Sequence, residues 1–204
     1  MSFCKTSTSF TRFHIMDEIP KGLWSEIPNK LRQFAMTDID DLALERAWGW
    51  TNFDDMLDTK WQLNIPEKGD YITFSLRLDT RRIPPAVIKK HTRLALLDEE
   101  QRMAGLGQKF VSRDRRKEIS EQVKLRLMGK FLPIPAEFQV VWSTSNGQIY
   151  FASTQQKVID LFVEYFLQTF DLHLEQLLPY ALAELLLGEK AENRVEHLEP
   201  TQFV

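Results

Sequence analysis

The feature that most constrains the fold of this chain is an alternating segment, residues 71–78, that leads into a pair of prolines. In its sequence, YITFSLRL, every second position is a large apolar residue: Ile72, Phe74, Leu76 and Leu78. A period of two predicts a strand with one buried face and one wet face. Pro84 and Pro85 suit the first turn of a helix, where backbone amides have no partner in any case. The sequence therefore predicts a sheet strand followed by a helix.

Patterns elsewhere in the chain predict an α+β fold, with an antiparallel sheet packed by helices. Asn146 and Gly147 tolerate a positive φ and separate two strand-like segments as the turn of a β-hairpin. Gly105 ends the helix that starts at the prolines, and Ser112 is a natural N-cap for a second helix. These two helices predict a protruding, basic, antiparallel helical hairpin. The predicted strands are 2–15, 46–53, 71–78, 137–143, 148–153 and 172–178. The other predicted helices are 21–35, 154–170 and 179–187. Pro28 counts against an unbroken helix over 21–35.

The same patterns divide the chain into four segments. Residues 1–82 form an N-terminal α+β part of the core, 83–132 the helical hairpin, 133–187 the β-hairpin and helices that complete the core, and 188–204 a polar tail. Apolar residues make up 43% of the chain, with 14 Phe and 5 Trp, which is enough to drive folding by burial. The one cysteine, Cys4, excludes an internal disulfide. No apolar run approaches the roughly 20 residues of a membrane helix, so we expect a cytoplasmic protein without membrane contact.

Charge is distributed very unevenly along the chain. Residues 81–130 hold 14 Lys and Arg against 6 Asp and Glu, whereas the remainder holds 12 against 23. This asymmetry favours a module that meets a polyanion. The alternative is a solvated, salt-bridged helical pair, and charge alone does not separate the two. The candidate phosphate contacts are Arg81, Arg82, Lys89, Lys90, Arg93, Lys109, Arg113, Arg115, Arg116, Lys117 and Lys124.

Such contacts would give salt-sensitive affinity without sequence preference, since no base-reading element accompanies them. We expect Leu94, Val123 and Leu127 to pack the two helices together. The four histidines lack metal-ligand spacing, and neither a P-loop nor a dinucleotide motif occurs. We therefore expect no metal, no cofactor and no catalytic residues.

Several motifs, in order, resemble the RdgC family of recombination-associated proteins. DTRRIPPAVIKK at 79–90 resembles the strand-to-helix junction that opens the charged helical pair of that family. RRKEI at 115–119 and EQV at 121–123 resemble its second helix, and Leu132-Pro133 its end. The turn at Asn146-Gly147 and the run STQQK at 153–157 resemble the segment that follows. The resemblance runs from about residue 69 to residue 179 and is to a short member that lacks the C-terminal part of the longer proteins.

This resemblance implies a non-catalytic protein that binds double-stranded DNA without marked sequence preference. It implies a homodimer associated with the nucleoid, which modulates homologous recombination or replication by occupying DNA in competition with the recombinase. In longer members two subunits close into a ring around the duplex, and ring closure stays open here.

Two alternatives of other classes stay open as well. One is a protein-interaction module of the same fold without DNA binding, in which the hairpin charges pair with an acidic partner. The other is a metal-dependent nuclease that uses Asp54, Asp55 and Asp58, although a nuclease also needs a group that activates water. A calcium loop at Asp38, Asp40 and Asp41 lacks the required glycine and distant glutamate, which favours a solvated loop.

Overall fold

The computed structural model describes residues 3, 7–62, 64–105 and 110–188. Within them the chain forms seven strands and five helices. The strands are β1 (Thr11–Ile15), β2 (Arg46–Thr51), β3 (Glu67–Lys68), β4 (Tyr71–Thr80), β5 (Ile134–Ser143), β6 (Gln148–Phe151) and β7 (Leu174–Gln176). The helices are α1 (Leu23–Gln33), α2 (Pro85–Gly105), α3 (Arg113–Met128), α4 (Gln156–Phe170) and α5 (Pro179–Leu187).

The strands form one antiparallel sheet in the order β2-β4-β5-β6-β1-β7, with β3 paired to β4. This sheet with its helices confirms the predicted α+β class. The predicted β-hairpin is present, because β5 and β6 pair antiparallel with Trp142 opposite Ile149. Gly147 in the connecting turn has φ +65°, a conformation that glycine adopts at no steric cost.

Two sequence predictions differ from the structure in a local way. The strand predicted over 2–15 is confined to β1, and residues 1, 2 and 4–6, with Cys4, lie outside the described residues. Pro28 lies inside α1 without dividing it. A proline within a helix costs about 3 kcal/mol, whereas Leu23, Ile27 and Leu31 are all buried on one face of α1. Since each such side chain contributes roughly 1.5–3 kcal/mol, burial outweighs the proline.

The chain divides into two compact units. The first comprises Met1–Ala35, Trp50–Leu76 and Glu137–Val204, and its core is aromatic. Trp50, Trp142 and Phe162 are fully buried, and the rings of Phe151 and Phe162 stack with centroids 4.1 Å apart. The indole Nε1 of Trp50 donates to Thr169 Oγ1 at 2.9 Å, which satisfies its one polar atom inside that core.

The second unit comprises Met36–Gly49 and Arg77–Ala136, so it joins a loop from the first quarter of the chain to α2 and α3. Met36 and Ile39 of that loop are buried. Arg77 donates to Asp79 at 2.7 Å and to Asp38 of the loop at 2.9 Å. These interactions, led by the hydrogen bond with Asp79, raise the pKa of Arg77. Asp38 therefore anchors the loop through an ion pair.

None of the described helices is long and apolar enough to cross a membrane.

Candidate nucleic-acid interface

Helices α2 and α3 share a small apolar core. Ile119, Val123 and Leu127 of α3 are buried against Val87, Ile88, Ala95 and Leu96 of α2, among others. The predicted packing role of Val123 and Leu127 is confirmed. The same prediction for Leu94 is wrong, since that side chain is 48% exposed. The side chains that α2 packs against the α3 core are instead those of Val87, Ile88, Ala95 and Leu96.

The start of α3 is fixed by the predicted cap. Ser112 has extended backbone angles, φ −62° and ψ 158°, and its Oγ accepts a hydrogen bond from the amide of Arg115 at 3.2 Å. The cap satisfies one of the four amides that a helix start leaves without a partner. Residues 106–109, between α2 and Ser112 in the sequence, lie outside the described residues.

One side of the helical pair is neutralised within the protein. Glu99 of α2 is buried and accepts from Arg102 at 2.8 Å and from Arg115 of α3 at 2.9 Å. Arg115 also donates to Glu118 at 2.9 Å. Hydrogen bonds from Arg115 and then Arg102 lower the pKa of Glu99, and the bond to Glu99 raises the pKa of Arg115. We call these four residues the paired face.

Arg115 was a candidate phosphate contact, and the structure gives it two carboxylate partners instead. The spacing of Glu99 and Arg115, 16 residues apart along the chain, is not a helical repeat and carries no sequence signal for an ion pair. This ion pair places the C-terminal part of α2 beside the N-terminal turn of α3. Arg115 is therefore a structural residue that holds the two helices in register.

Arg81, another candidate phosphate contact, is engaged by backbone carbonyls of its own unit. The side chain is only 4% exposed. Its guanidinium donates to the carbonyl oxygens of Ile39 at 2.8 Å and Asp40 at 2.9 Å, and also to that of Leu42. Successive residues of an extended chain project to opposite sides, so Arg81 is buried whereas its neighbour Arg82 is exposed.

The other side of the helical pair carries cations from both helices. Lys89 and Arg93 line a groove between the helices together with Ser120 of α3. Arg113, Lys117 and Lys124 are spaced by four and seven residues, which places them within about 40° of one another and beside Ser120 on the same side of α3. All five side chains are exposed. We call this set the basic face: Lys89, Arg93, Arg113, Lys117 and Lys124.

The basic face has little compensation from carboxylates. Arg93 lies 3.7 Å from Glu100 and Lys124 lies 3.3 Å from Glu45, in exposed pairs. Exposed pairs of this kind contribute at most about 1 kcal/mol and are readily exchanged for another anion. The three remaining cations have no ion pair within the described residues; they are Lys89, Arg113 and Lys117.

Four other candidates lie elsewhere. Lys90 is exposed on the outer side of α2, and Arg82 is exposed at the end of β4. Arg116 is exposed and its Nε donates to the carbonyl of Val111 at 3.3 Å. Lys109 lies outside the described residues.

Sequence reasoning missed one cation that the fold brings to this unit. Arg46, at the start of β2, borders a cavity together with Arg82 and Lys124. These three residues are far apart along the chain, and no local pattern relates them.

The acidic trio of the nuclease alternative is used to organise a loop. Asp54 forms an ion pair with Lys68 at 2.6 Å, and Asp55 accepts from the amide of Leu57 at 2.9 Å. Asp58 accepts from the amide of Lys60 at 3.0 Å. Within the described part of the chain, no group of three or more His, Cys, Asp and Glu side chains is arranged to hold a metal ion.

Neither a family model nor a curated protein matches this chain.

Proposed function

We propose that this protein binds double-stranded DNA without sequence preference through the basic face. The observation that carries the proposal is the division of charge across the helical pair. On the paired face, arginines are held by carboxylates at 2.8–2.9 Å, whereas Lys89, Arg113 and Lys117 are exposed and have no carboxylate partner among the described residues. Cations that no internal group neutralises are the ones available for phosphates.

The dimensions of the basic face suit a strand of duplex DNA. Arg113 and Lys124 are eleven residues apart on α3, which corresponds to roughly 16 Å along the helix axis. At about 3.4 Å of duplex axis per phosphate on one strand, that length matches about five phosphates. Lys89 and Arg93 add a second row from α2. Neutralising phosphates releases condensed counterions, and this gain does not depend on base sequence.

The resemblance to the RdgC family supports a role for this binding. We propose that the protein acts as a homodimer in the cytoplasm, associated with the nucleoid. By occupying duplex DNA it would compete with the recombinase and so modulate homologous recombination or replication. No chemical step is part of this proposal.

The test is a salt titration of binding to two labelled duplexes of about 30 base pairs and unrelated sequence. Five phosphate contacts give a slope of about −4 to −5 in a plot of log affinity against log salt concentration. We expect the same slope for both duplexes. The double variant Lys89→Ala and Lys117→Ala should reduce the slope by about 2.

The matched control is the double variant Arg126→Ala and Lys130→Ala, which removes the same charge from exposed positions outside the basic face. It should leave the slope close to that of the wild type. Absence of binding at low salt would overturn the proposal, and equal slopes for both double variants would refute the assignment to the basic face.

A further inference from the structure

A second concave feature lies within the same unit, at the start of α2. This cavity has a volume of about 560 Å³ and is bordered by the ends of β2 and β4, the first turn of α2 and the last turn of α3. Its volume falls within the range of roughly 300–1,000 Å³ typical of small-molecule sites. Part of the wall is apolar and part is charged. The apolar part consists of Ile83, Pro84, Pro85, Ile88 and Met128.

The charged part of the wall is dominated by cations. Arg46, Arg82 and Lys124 border the cavity, and Glu45 is the one carboxylate among its lining residues. Glu45 is engaged with Lys124 at 3.3 Å. Arg46 and Arg82 are exposed and form no ion pair within the described residues. The guanidinium groups of Arg46 and Arg82 are therefore available to bind an anion.

Arg81 provides an independent argument for an anion in this cavity. It lines the cavity and is buried, yet the partners of its guanidinium are neutral carbonyl oxygens, as at Ile39 and Asp40. Its Nε is buried without any hydrogen-bond partner in the described structure. Burying a charge without a counter-charge is costly. A bound anion would supply that counter-charge.

Side chains rather than helix amides would recognise this anion. Pro84 and Pro85 have no amide hydrogen, and the amide of Val87 already donates to the carbonyl of Pro84 at 2.9 Å. Guanidinium groups match phosphate in a bidentate, charge-assisted geometry. The apolar wall has room for an organic group attached to the phosphate, since the cavity is far larger than the anion alone.

We propose that this cavity binds the phosphate of an organic phosphate monoester of the nucleotide class, held by Arg46, Arg82 and Lys124. A terminal monoester carries up to two charges and can enter a concave site, whereas an internal diester of a duplex carries one charge and lies on a convex surface. Two sources share this chemistry: the 5′-phosphorylated end of a DNA strand and a free nucleotide. The site is separate from DNA binding along the basic face, with Lys124 common to both.

The first experiment is isothermal titration calorimetry of the full chain with deoxyadenosine 5′-monophosphate, with deoxyadenosine as the ligand control. We expect saturable binding of the monophosphate at one site and no binding of the nucleoside. The double variant Arg46→Ala and Arg82→Ala should bind at least tenfold more weakly. Arg126→Ala with Lys130→Ala removes equal charge outside the cavity and should bind as the wild type does.

Failure to detect saturable binding at millimolar monophosphate would overturn the proposal, as would equal binding by the cavity variant and the wild type. Circular dichroism melting checks that the variants fold. Should the double variant unfold, Arg82→Gln alone tests the same contact, because its side chain is exposed at the end of β4.

The second experiment compares labelled duplexes with 5′-phosphate and with 5′-hydroxyl ends. A preference for the phosphorylated duplex that is lost in Arg46→Ala with Arg82→Ala assigns the cavity to DNA ends. Equal affinity for both duplexes, together with binding of the monophosphate, assigns it to free nucleotides. Failure of the basic-face proposal has a different signature, because it removes binding of the 5′-hydroxyl duplex and leaves binding of the monophosphate intact.

Discussion

The two faces of the helical pair are built from similar side chains and differ in what those side chains contact. On the paired face, Glu99 accepts from Arg102 and Arg115 at 2.8 and 2.9 Å. On the basic face, Lys89 and Lys117 are exposed and have no ion pair within the described residues. The number of cations in a segment thus sets an upper limit on available charge. The placement of carboxylates decides how much of it is free.

This difference has a structural origin. The buried carboxylate of Glu99 lies where the C-terminal part of α2 meets the first turn of α3, and it needs counter-charges to be buried at all. In the part of the chain that the structure describes, the opposite side of the pair has no buried carboxylate. Its two ion pairs, Arg93 with Glu100 and Lys124 with Glu45, are exposed, and exposed pairs are weak. One face therefore contributes to holding the helices together, and the other carries exposed cations.

The largest expected effect comes from the core that both faces share. Leu127 is 3% exposed between the helices, whereas Leu125 on the outer side of α3 is 56% exposed. Leu127→Ala should lower the free energy of unfolding by about 2–5 kcal/mol. Leu125→Ala should change it by less than about 0.5 kcal/mol. Urea denaturation monitored by circular dichroism measures both, and similar values for the two variants would contradict the assigned core.

The next largest effect is expected from reversing the charge of two residues of the basic face. Arg113→Glu with Lys117→Glu should weaken duplex affinity by roughly 100-fold at low salt, on the basis of about 1.4 kcal/mol for each lost phosphate contact. Stability should be largely retained, because both side chains are exposed and lie outside the core, where substitutions usually change stability by less than about 0.5 kcal/mol. Fluorescence anisotropy gives the affinities. Arg126→Glu with Lys130→Glu is the matched reversal, and a loss as large in that variant would show that net charge rather than the basic face governs binding.

A smaller effect is expected at the cap that positions both faces. Ser112→Ala removes the acceptor for the amide of Arg115 and should cost about 1 kcal/mol of stability, measured by urea denaturation. Ser112→Asp keeps an acceptor and should retain most of it. Duplex affinity well below the melting temperature should be unchanged in both variants, since Ser112 is not part of the basic face. A loss of affinity in Ser112→Ala alone would show that the cap orders the interface.

The smallest effect is a pH dependence confined to the paired face. The pKa of Glu99 in the folded protein is lowered below its ordinary value of 4.5 by hydrogen bonds from Arg115 and Arg102. Its contribution to stability is therefore fully present above that value and is lost as the pH falls through the folded pKa. Glu99→Gln should melt at a lower temperature than the wild type at pH 7. This difference in melting temperature, the gap between the two proteins, should close on acidification. A gap that persists at the lowest pH would exclude the ionised carboxylate as its cause.

Much of the local structure was predictable because it depends on neighbours along the chain. The cap at Ser112, the end of α2 at Gly105 and the turn at Gly147 follow from the backbone preferences of those residues. Strand β4 follows from a strict period of two, but its predicted wet face is wrong, because Thr73, Ser75 and Arg77 are buried as well. Leu94 was assigned to the core wrongly because α2 has apolar residues on more than one side, so its pattern did not identify the buried face.

The function of individual cations was much less predictable. Arg81 and Arg82 are adjacent and identical in type, yet one is buried against the carbonyls of residues 39–42 and the other is exposed. Arg115 and Lys117 differ by two positions, yet one is held by Glu99 and the other is not. Which partner a side chain meets depends on segments distant in sequence.

The sequence by itself determined the α+β class, the turns and caps, and the concentration of positive charge in residues 81–130. Each of these depends on residue type and on contacts within a few positions. Only the tertiary structure joined residues 36–49 to the helical pair, buried Arg81 and brought Arg46 beside Arg82 and Lys124. These outcomes depend on contacts between segments separated by tens of residues, which leave no periodic trace in the chain. Local preferences thus fix the elements, and long-range packing decides which charges are paired within the fold and which face solvent.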